Sequence, residues 1–351
     1  MPDLQFMRPF KSVPGSASAD DLLYHYTSES GLRGIIESDR IWATDIRFLN
    51  DYTEFQRAFE DKYLNSLIEA LRAALRKDID STAARVMDGM LAVRNRASIL
   101  DLIKDSTKRN DTFVCSFTSS LHDGFDPGDR LSQWRGYSHS CQGFSMGFDR
   151  ELLEKQIALD NPGAKASVVQ CLYEGTGPDV LLFEDMGRNA ALEFDKLWLK
   201  GEAVSDSYQT VNPTATAEYK KANDYFLKAL SKATAQFFIR AARIKHAGFR
   251  EECEWRIVLQ ASNEALTRSG LIRVRQGPFG ETPYIEIPLG LREHGTSPLR
   301  RIVVGPGKEK ETFQQSVERL LKTHGMNLRR GDIPDGDGVE VAISTIPYRS
   351  G

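Results

Sequence analysis

The sequence has few of the features that mark secreted, membrane-spanning or zinc-binding proteins. It has four cysteines among 351 residues, and no two of them form a Cys-x-x-Cys pair. We therefore expect neither a disulfide framework nor a structural zinc site. No run approaches the roughly 18 apolar residues that cross a bilayer, and positions 1–21 lack the apolar segment of a secretory signal. These absences predict a cytoplasmic protein with no membrane contact.

The chain also has no large excess of positive or negative charge. The chain carries 46 Lys and Arg against 49 Asp and Glu, a formal net charge of −3, which argues against a protein that mainly coats nucleic acid. Motifs of P-loop proteins, zinc proteases and hydrolase elbows are absent, and we expect no metal. Hydrophobic residues make up 40% of the chain, enough to bury a sizeable core.

The pattern of apolar residues predicts an α+β fold. Short apolar and aromatic runs, bounded by turn residues, predict strands throughout the chain, whereas apolar spacings of three and four predict two helical blocks. We expect a flexible leader at 1–21 and a single domain at 22–351, with helical insertions at about 55–108 and 180–243. Because strands outnumber crossover helices, a mixed or antiparallel sheet is favoured over a doubly wound one.

His25 lies inside an apolar run near the start of the chain. Strand alternation places His25 and Thr27 on one face and Tyr24 and Tyr26 on the other. The histidine is either a half-buried core residue or a ligand-binding residue, and the sequence leaves both interpretations open.

A second polar group lies near position 254. On a strand, Glu252, Glu254 and Arg256 share one face, while Cys253 and Trp255 point to the core. Two carboxylates and a guanidinium on an otherwise apolar strand cost desolvation free energy unless a partner or ligand compensates them. The alternatives are a ligand site and an exposed face with a cross-strand ion pair.

The segment 130–139 concentrates arginines, aromatic rings and a histidine, groups that stack on rings and bind phosphates. Alternatively, Trp134 and Tyr137 simply pack on the core from one helix face, with Arg135 beside them.

Elsewhere, Asn50 suits the N-cap of the first helical block. A basic strip of Arg240, Arg243, Lys245 and Arg250 is either a solvated helix end or a nucleic-acid contact.

Several short motifs occur in an order that resembles a bacterial domain-of-unknown-function family numbered 2971. The resemblance covers nearly the whole chain from Leu22 to Arg349, apart from the two helical blocks. Its motifs are Tyr24-His25-Tyr26-Thr27, Leu49-Asn50-Asp51, Cys115-Ser116-Phe117-Thr118, Trp134 with Tyr137, and the segments at 143–149, 249–257, 302–306 and 344–349.

The order of motifs is also similar to that of the ADP-ribosyltransferase fold, and this resemblance implies specific roles. NAD is the implied substrate. Glu254 would stabilise the oxocarbenium-like ribose, Glu252 would activate or bind the acceptor, and His25 would hold a ribose. The other implied NAD contacts are Ser116 and Thr118, Tyr52 or Tyr137 against nicotinamide, Arg135 or Arg256 at the pyrophosphate, and Tyr26, Thr27, Asn50 and Trp134.

Three classes of function follow from the sequence and the resemblance. The first is an NAD-consuming ADP-ribosyltransferase or NAD glycohydrolase that acts as a bacterial toxin or phage-defence effector. Its acceptor is a protein, a nucleic acid or water, and the expected protein partner is a neutralising or sensor protein. The second class is a catalytically inactive sensor of the same fold that binds a nucleotide or nucleic acid. The third is a nucleic-acid-processing phosphotransferase that uses Arg and His.

Overall fold

The computed structural model describes sixteen stretches of the chain. They are residues 22–49, 61–77, 85–89, 91, 101, 110–121, 123–138, 143–159, 165–176, 178–200, 217–234, 237–262, 270–277, 280–293, 295–329 and 338–347. The predicted leader at 1–21, together with Asn50 and Tyr52, lies outside these residues.

A ten-stranded sheet dominates the described part of the chain, and two further strands form a separate pair. The strands are β1 Leu22–Thr27, β2 Arg40–Asp45, β3 Asn110–Thr118, β4 Phe144–Asp149, β5 Lys165–Gln170, β6 Leu172–Tyr173, β7 Ile244–Lys245, β8 Glu254–Ser262, β9 Arg273–Gly277, β10 Gly280–Pro288, β11 Leu299–Val304 and β12 Glu340–Ile343.

Neighbouring strands in the large sheet follow the order β12-β11-β4-β1-β3-β2-β10-β9, with β8 between β3 and β5, while β6 and β7 form the separate parallel pair. All pairs in the large sheet are antiparallel except β11 with β12. The α+β class is thereby confirmed.

The strand β3 joins the two halves of the sheet. β8 pairs with β3 along its whole length, up to the pair of Thr118 with Glu254. β1 and β2 share the other edge of β3, with β1 at Thr118 and β2 at Phe113 and Val114. Since directly paired residues point to the same face, Tyr24, Thr118 and Glu254 form one row across three strands.

The two faces of the sheet differ in what covers them. One, here called the core face, carries the main apolar cluster, which includes Leu23, Phe117, Met146, Ile257 and Ile285. The other, here called the second face, carries Tyr24, Thr118, Glu254 and Arg256, in agreement with the alternation predicted for β1 and β8.

Eight bounded α-helices and two short 3-10 helices accompany the sheet in the described residues, and residues 85–89, 91 and 101 are also helical. The bounded helices are α1 Glu29–Ser38, α2 Asp61–Lys77, α3 Leu131–Tyr137, α4 Arg150–Leu159, α5 Pro178–Lys200, α6 Ala217–Thr234, α7 Phe237–Ala241 and α8 Lys310–Thr323, with 3-10 turns at Ile46–Phe48 and Ala247–Glu252. No described helix combines the length and hydrophobicity needed to cross a membrane.

The described parts of both predicted insertions are helical and share a core of their own. In α2, Tyr63, Leu67 and Leu71 recur at helical spacing and pack with residues of α5, α6 and α7. At Gly187 of α5, an added Cβ would lie 2.2 Å from the Leu67 carbonyl oxygen, so only glycine permits this close approach. The bundle meets the second face of the sheet through α7, which contacts β8.

Candidate functional site

Four charged side chains converge on the second face where β8 begins. Arg256 holds both oxygens of the Glu254 carboxylate, with Nε donating at 2.7 Å and Nη2 at 3.1 Å. Lys245 Nζ donates to Glu254 and also to Glu252, the latter at 2.6 Å. Glu252 is the most accessible member, with 19% of its side chain exposed against 6% or less for the other three. We call these four residues the carboxylate cluster.

A backbone turn brings the two carboxylates together. The strand prediction for Glu252 is wrong, because the 3-10 helix Ala247–Glu252 ends there and β8 starts only at Glu254. Between them Cys253 has φ 40° and ψ 49°, in the left-handed region that non-glycine residues seldom adopt. Thr118 Oγ1 fixes the turn by donating to the Glu252 carbonyl oxygen at 2.5 Å.

The charge of Glu254 is set by its partners. Burial alone raises the pKa of a carboxyl, but the positive charges and hydrogen bonds of Arg256 and Lys245 outweigh it and hold the pKa of Glu254 at about 2. The group is therefore ionised at neutral pH. Arg256 is anchored as well, since its Nη1 donates to the Ala242 carbonyl oxygen at 2.7 Å.

Two tyrosines border the carboxylate cluster. The Tyr173 hydroxyl oxygen accepts a hydrogen bond from the Glu254 N–H at 3.0 Å. Tyr137, the last residue of α3, is 44% exposed. Burial of part of its side chain, together with the negative charges of Glu252 and Glu254, raises the pKa of Tyr137 to about 12. A partly exposed side chain with a protonated phenol thus lies within electrostatic reach of two carboxylates.

The structure does not bring His25 to this cluster. His25 lies on the core face, where its ring is 5.7 Å from that of Phe117 and its Nδ1 is 3.9 Å from Cys115 Sγ. Nδ1–H donates to the Ser116 carbonyl oxygen at 3.0 Å, and burial lowers the pKa of His25. His25, like Thr27 two residues on, is therefore separated from Glu254 by the thickness of the sheet.

Tyr26 and Trp134 take part in packing on the second face. Trp134 has no exposed surface and lies edge-on to Tyr26, with ring centroids 4.6 Å apart. Its Nε1 donates to Asp129 at 2.9 Å, and the Tyr26 hydroxyl donates to the Pro127 carbonyl oxygen at 2.8 Å. The packing interpretation of Trp134 thus fits the structure, because no ligand reaches a fully buried ring.

Asp129 also fastens a distant part of the chain to this region. Its carboxylate accepts hydrogen bonds from Ser344 Oγ at 2.5 Å and from the Thr345 N–H at 2.8 Å. We call this arrangement the Asp129 clasp. It ties the segment that follows β12 to the base of α3.

The predicted site residues thus separate into groups. On the second face, Ser116 and Thr118 pair across strands with Arg256 and Glu254, and Tyr137 borders them. Arg135 is exposed on α3. Lys245 is a further functional candidate, which the sequence pattern assigns only to a basic strip. The signal that could have identified it is a lysine directly after the apolar Ile244, close to the Ala241-Ala242 pair.

Other ligand sites are less evident in the described residues. No group of three or more His, Cys, Asp or Glu side chains is arranged there to hold a metal ion. A shallow hollow between α1 and α8 is lined by Leu32, Phe144, Phe313 and Leu320 among others, and none of the predicted site residues contributes to it.

Comparison with known proteins gives one match. Residues 133–257 match the model of a family described as "Protein of unknown function (DUF2971)". The match supports the family resemblance. The matched segment spans about a third of the chain and contains Tyr137, Lys245, Glu252, Glu254 and Arg256, so the carboxylate cluster lies inside it. No curated protein and no solved structure gave a significant match.

Proposed function

We propose that the chain is an NAD-consuming ADP-ribosyltransferase or NAD glycohydrolase with an ADP-ribosyltransferase-like fold. One observation supports this more than any other: two carboxylates, Glu252 and Glu254, meet at Lys245, close enough to the partly exposed Tyr137 to raise the pKa of its phenol. The mostly antiparallel sheet, with the carboxylates at the start of the strand that pairs with β3, is compatible with that fold. A role as toxin or phage-defence effector stays a prediction.

The reaction requires a negative charge beside the ribose that is being transferred. The C1′–N bond of NAD breaks, its electron pair leaves with neutral nicotinamide, and C1′ becomes oxocarbenium-like. An acceptor oxygen then bonds to C1′ and releases its proton; with water as acceptor the products are nicotinamide, ADP-ribose and one proton. A fixed carboxylate stabilises the positive charge that develops.

The two carboxylates are suited to different parts of this task. Glu252 is the accessible one, so in this proposal it contacts the ribose or takes the acceptor proton. Glu254 stays ionised and holds Lys245, which orients Glu252 through their 2.6 Å contact. The ring of Tyr137 offers a stacking surface for nicotinamide next to them.

A second function is favoured by the charge balance of the carboxylate cluster. Its two carboxylates face two cations, and Glu254 is 4% exposed. A carboxylate neutralised and enclosed in this way contributes less to an oxocarbenium ion than an unpaired one does. A catalytically inactive module that binds a nucleotide is therefore the alternative.

Release of nicotinamide from NAD by the purified protein, followed by chromatography, tests the proposal. Glu252→Gln should lower the rate at least about 100-fold, because it removes the accessible carboxylate while preserving its shape. The matched control is Glu251→Gln, one residue earlier and exposed, which should leave the rate unchanged. Glu254→Gln is unsuitable alone because it removes the buried charge that both Arg256 and Lys245 hold, whereas Glu252 is more accessible and pairs with Lys245.

The outcomes separate the two functions. Release by the parent protein and by Glu251→Gln, but not by Glu252→Gln, supports the enzyme. No release, with NAD binding detected by calorimetry and weakened by Tyr137→Ala, supports the binding module. Equal rates for all three proteins would remove Glu252 from the mechanism, and neither release nor binding would contradict both functions.

A further inference from the structure

A second group of aromatic and charged side chains lies on the same face of the sheet, but on the strands β2, β9 and β10. Trp42 is 45% exposed. Its ring centroid is 4.5 Å from that of Tyr284, at an interplanar angle of 37°, and the guanidinium carbon of Arg275 lies 5.5 Å from the Trp42 centroid. We call these three residues the aromatic–arginine layer.

The layer is not needed to complete the main core. On β2 and β10, Ile41, Ala43, Ile285 and Ile287 point to the core face and are buried, whereas Trp42 points away from them. Leaving a large indole half exposed forgoes much of the free energy that its burial would supply. An exposed indole held between a second ring and a guanidinium offers a stacking surface to a ligand with flat apolar faces.

Positive charge surrounds the layer. Arg40, Arg273 and Arg275 are exposed on this face, and Glu286 pairs with Arg273 at 3.3 Å. On this face of β2, β9 and β10, as far as the structure describes it, three arginines and one glutamate give a local charge of +2, although the whole chain carries −3. Arg275 is also held in place, since its Nη2 donates to Thr44 Oγ1 at 3.1 Å.

The exposed indole and the arginines beside it together indicate the chemistry of a binding partner. A planar apolar group stacks on an aromatic ring or a guanidinium, and phosphates contact the arginines. Arg273 and Arg275 lie two positions apart on β9, so they follow the strand at intervals of about 6.6 Å. A linear polyanion with exposed rings fits such a row, whereas a duplex conceals the faces of its bases in the stack.

We propose that the aromatic–arginine layer binds single-stranded nucleic acid. A base stacks on the exposed part of Trp42, and the adjoining phosphates contact Arg273 and Arg275. The binding is tolerant of sequence, because every base has a flat face. This proposal does not depend on NAD turnover, and Trp42 takes no part in the carboxylate cluster.

Fluorescence anisotropy with labelled oligo(dT) and oligo(rU) of about 12 nucleotides tests the proposal. Trp42→Ala should weaken binding about tenfold, and Trp42→Phe should restore part of the loss. Arg275→Ala should weaken binding and lower the slope of log affinity against log salt by about 0.7. Phe125→Ala and Arg33→Ala, which alter an aromatic residue that is 69% exposed and an arginine side chain that is 55% exposed, serve as matched controls.

Two results with the single-stranded probes would overturn the proposal. One is the absence of binding to both oligonucleotides at low salt. The other is binding that Trp42→Ala and Arg275→Ala weaken no more than the two controls do. Duplex DNA of equal length should bind at least several-fold more weakly than the single strand, and equal affinity would also contradict base stacking. Urea unfolding of each variant checks that the fold is retained.

Discussion

The carboxylate cluster and the aromatic–arginine layer both contain an arginine–glutamate ion pair on the second face of the sheet, but one pair is buried and the other is largely exposed. In the carboxylate cluster, Arg256 and Glu254 are enclosed and fully paired, with side chains that are 2% and 4% exposed. In the aromatic–arginine layer, Arg273 is 61% exposed and its partner Glu286 is 17% exposed. Water screens the Arg273–Glu286 pair but not the Arg256–Glu254 pair. Breaking the two pairs should therefore change the free energy of unfolding by very different amounts.

The largest effect is expected from Arg256→Ala. It leaves the buried Glu254 carboxylate with one cation fewer, and we expect the free energy of unfolding to fall by about 3–5 kcal/mol. Urea unfolding followed by circular dichroism measures this. Arg33→Ala, which breaks an exposed pair with Glu37, should cost less than about 1 kcal/mol; a similar cost for both variants would mean that burial does not distinguish the two kinds of pair.

The second effect depends on pH. The pKa of Glu254 in the folded protein, about 2, lies below its ordinary value, so the stabilisation is complete above about pH 4.5 and is lost as the pH falls toward 2. A shift of this size corresponds to about 3 kcal/mol. Between pH 7 and pH 3 the parent protein should therefore lose more stability than Glu254→Gln does. Parallel pH profiles of the two urea midpoints would contradict the assigned shift.

The smallest effect is expected from Arg273→Ala. Its ion pair with Glu286 is largely exposed, so the free energy of unfolding should change by less than about 1 kcal/mol, and by still less in 1 M salt. The same variant should weaken the proposed oligonucleotide binding. A large loss of stability would show instead that Arg273 is a structural residue.

The residue pattern predicted much of the secondary structure. Alternation in β1 and β8 correctly separated Tyr26 from His25 and Glu254 from Trp255, because side-chain direction in a strand is a local property. Helical spacing likewise located α2 and α5. The described residues thus agree with the α+β class, which needs only local patterns and the count of elements.

The site depended on long-range pairing that local patterns do not contain. Whether His25 and Glu254 meet is decided by the register of β1, β3 and β8, which places Tyr24 rather than His25 level with Glu254. The approach of Lys245 depends on the parallel pairing of β7 with β6, more than seventy positions earlier in the chain. Single-strand alternation also missed the left-handed Cys253, which redirects Glu252.

The Asp129 clasp has a consequence for the order in which the protein acquires its structure during synthesis. Asp129 and Ser344 are 215 positions apart, and a contact over such a separation forms late because a long loop must close. On the ribosome, α3 is made early, yet the hydrogen bonds from Ser344 and Thr345 to Asp129 cannot form until those residues emerge. The nascent chain should therefore carry a loosely held Tyr137 for as long as residues 344 and 345 have not emerged.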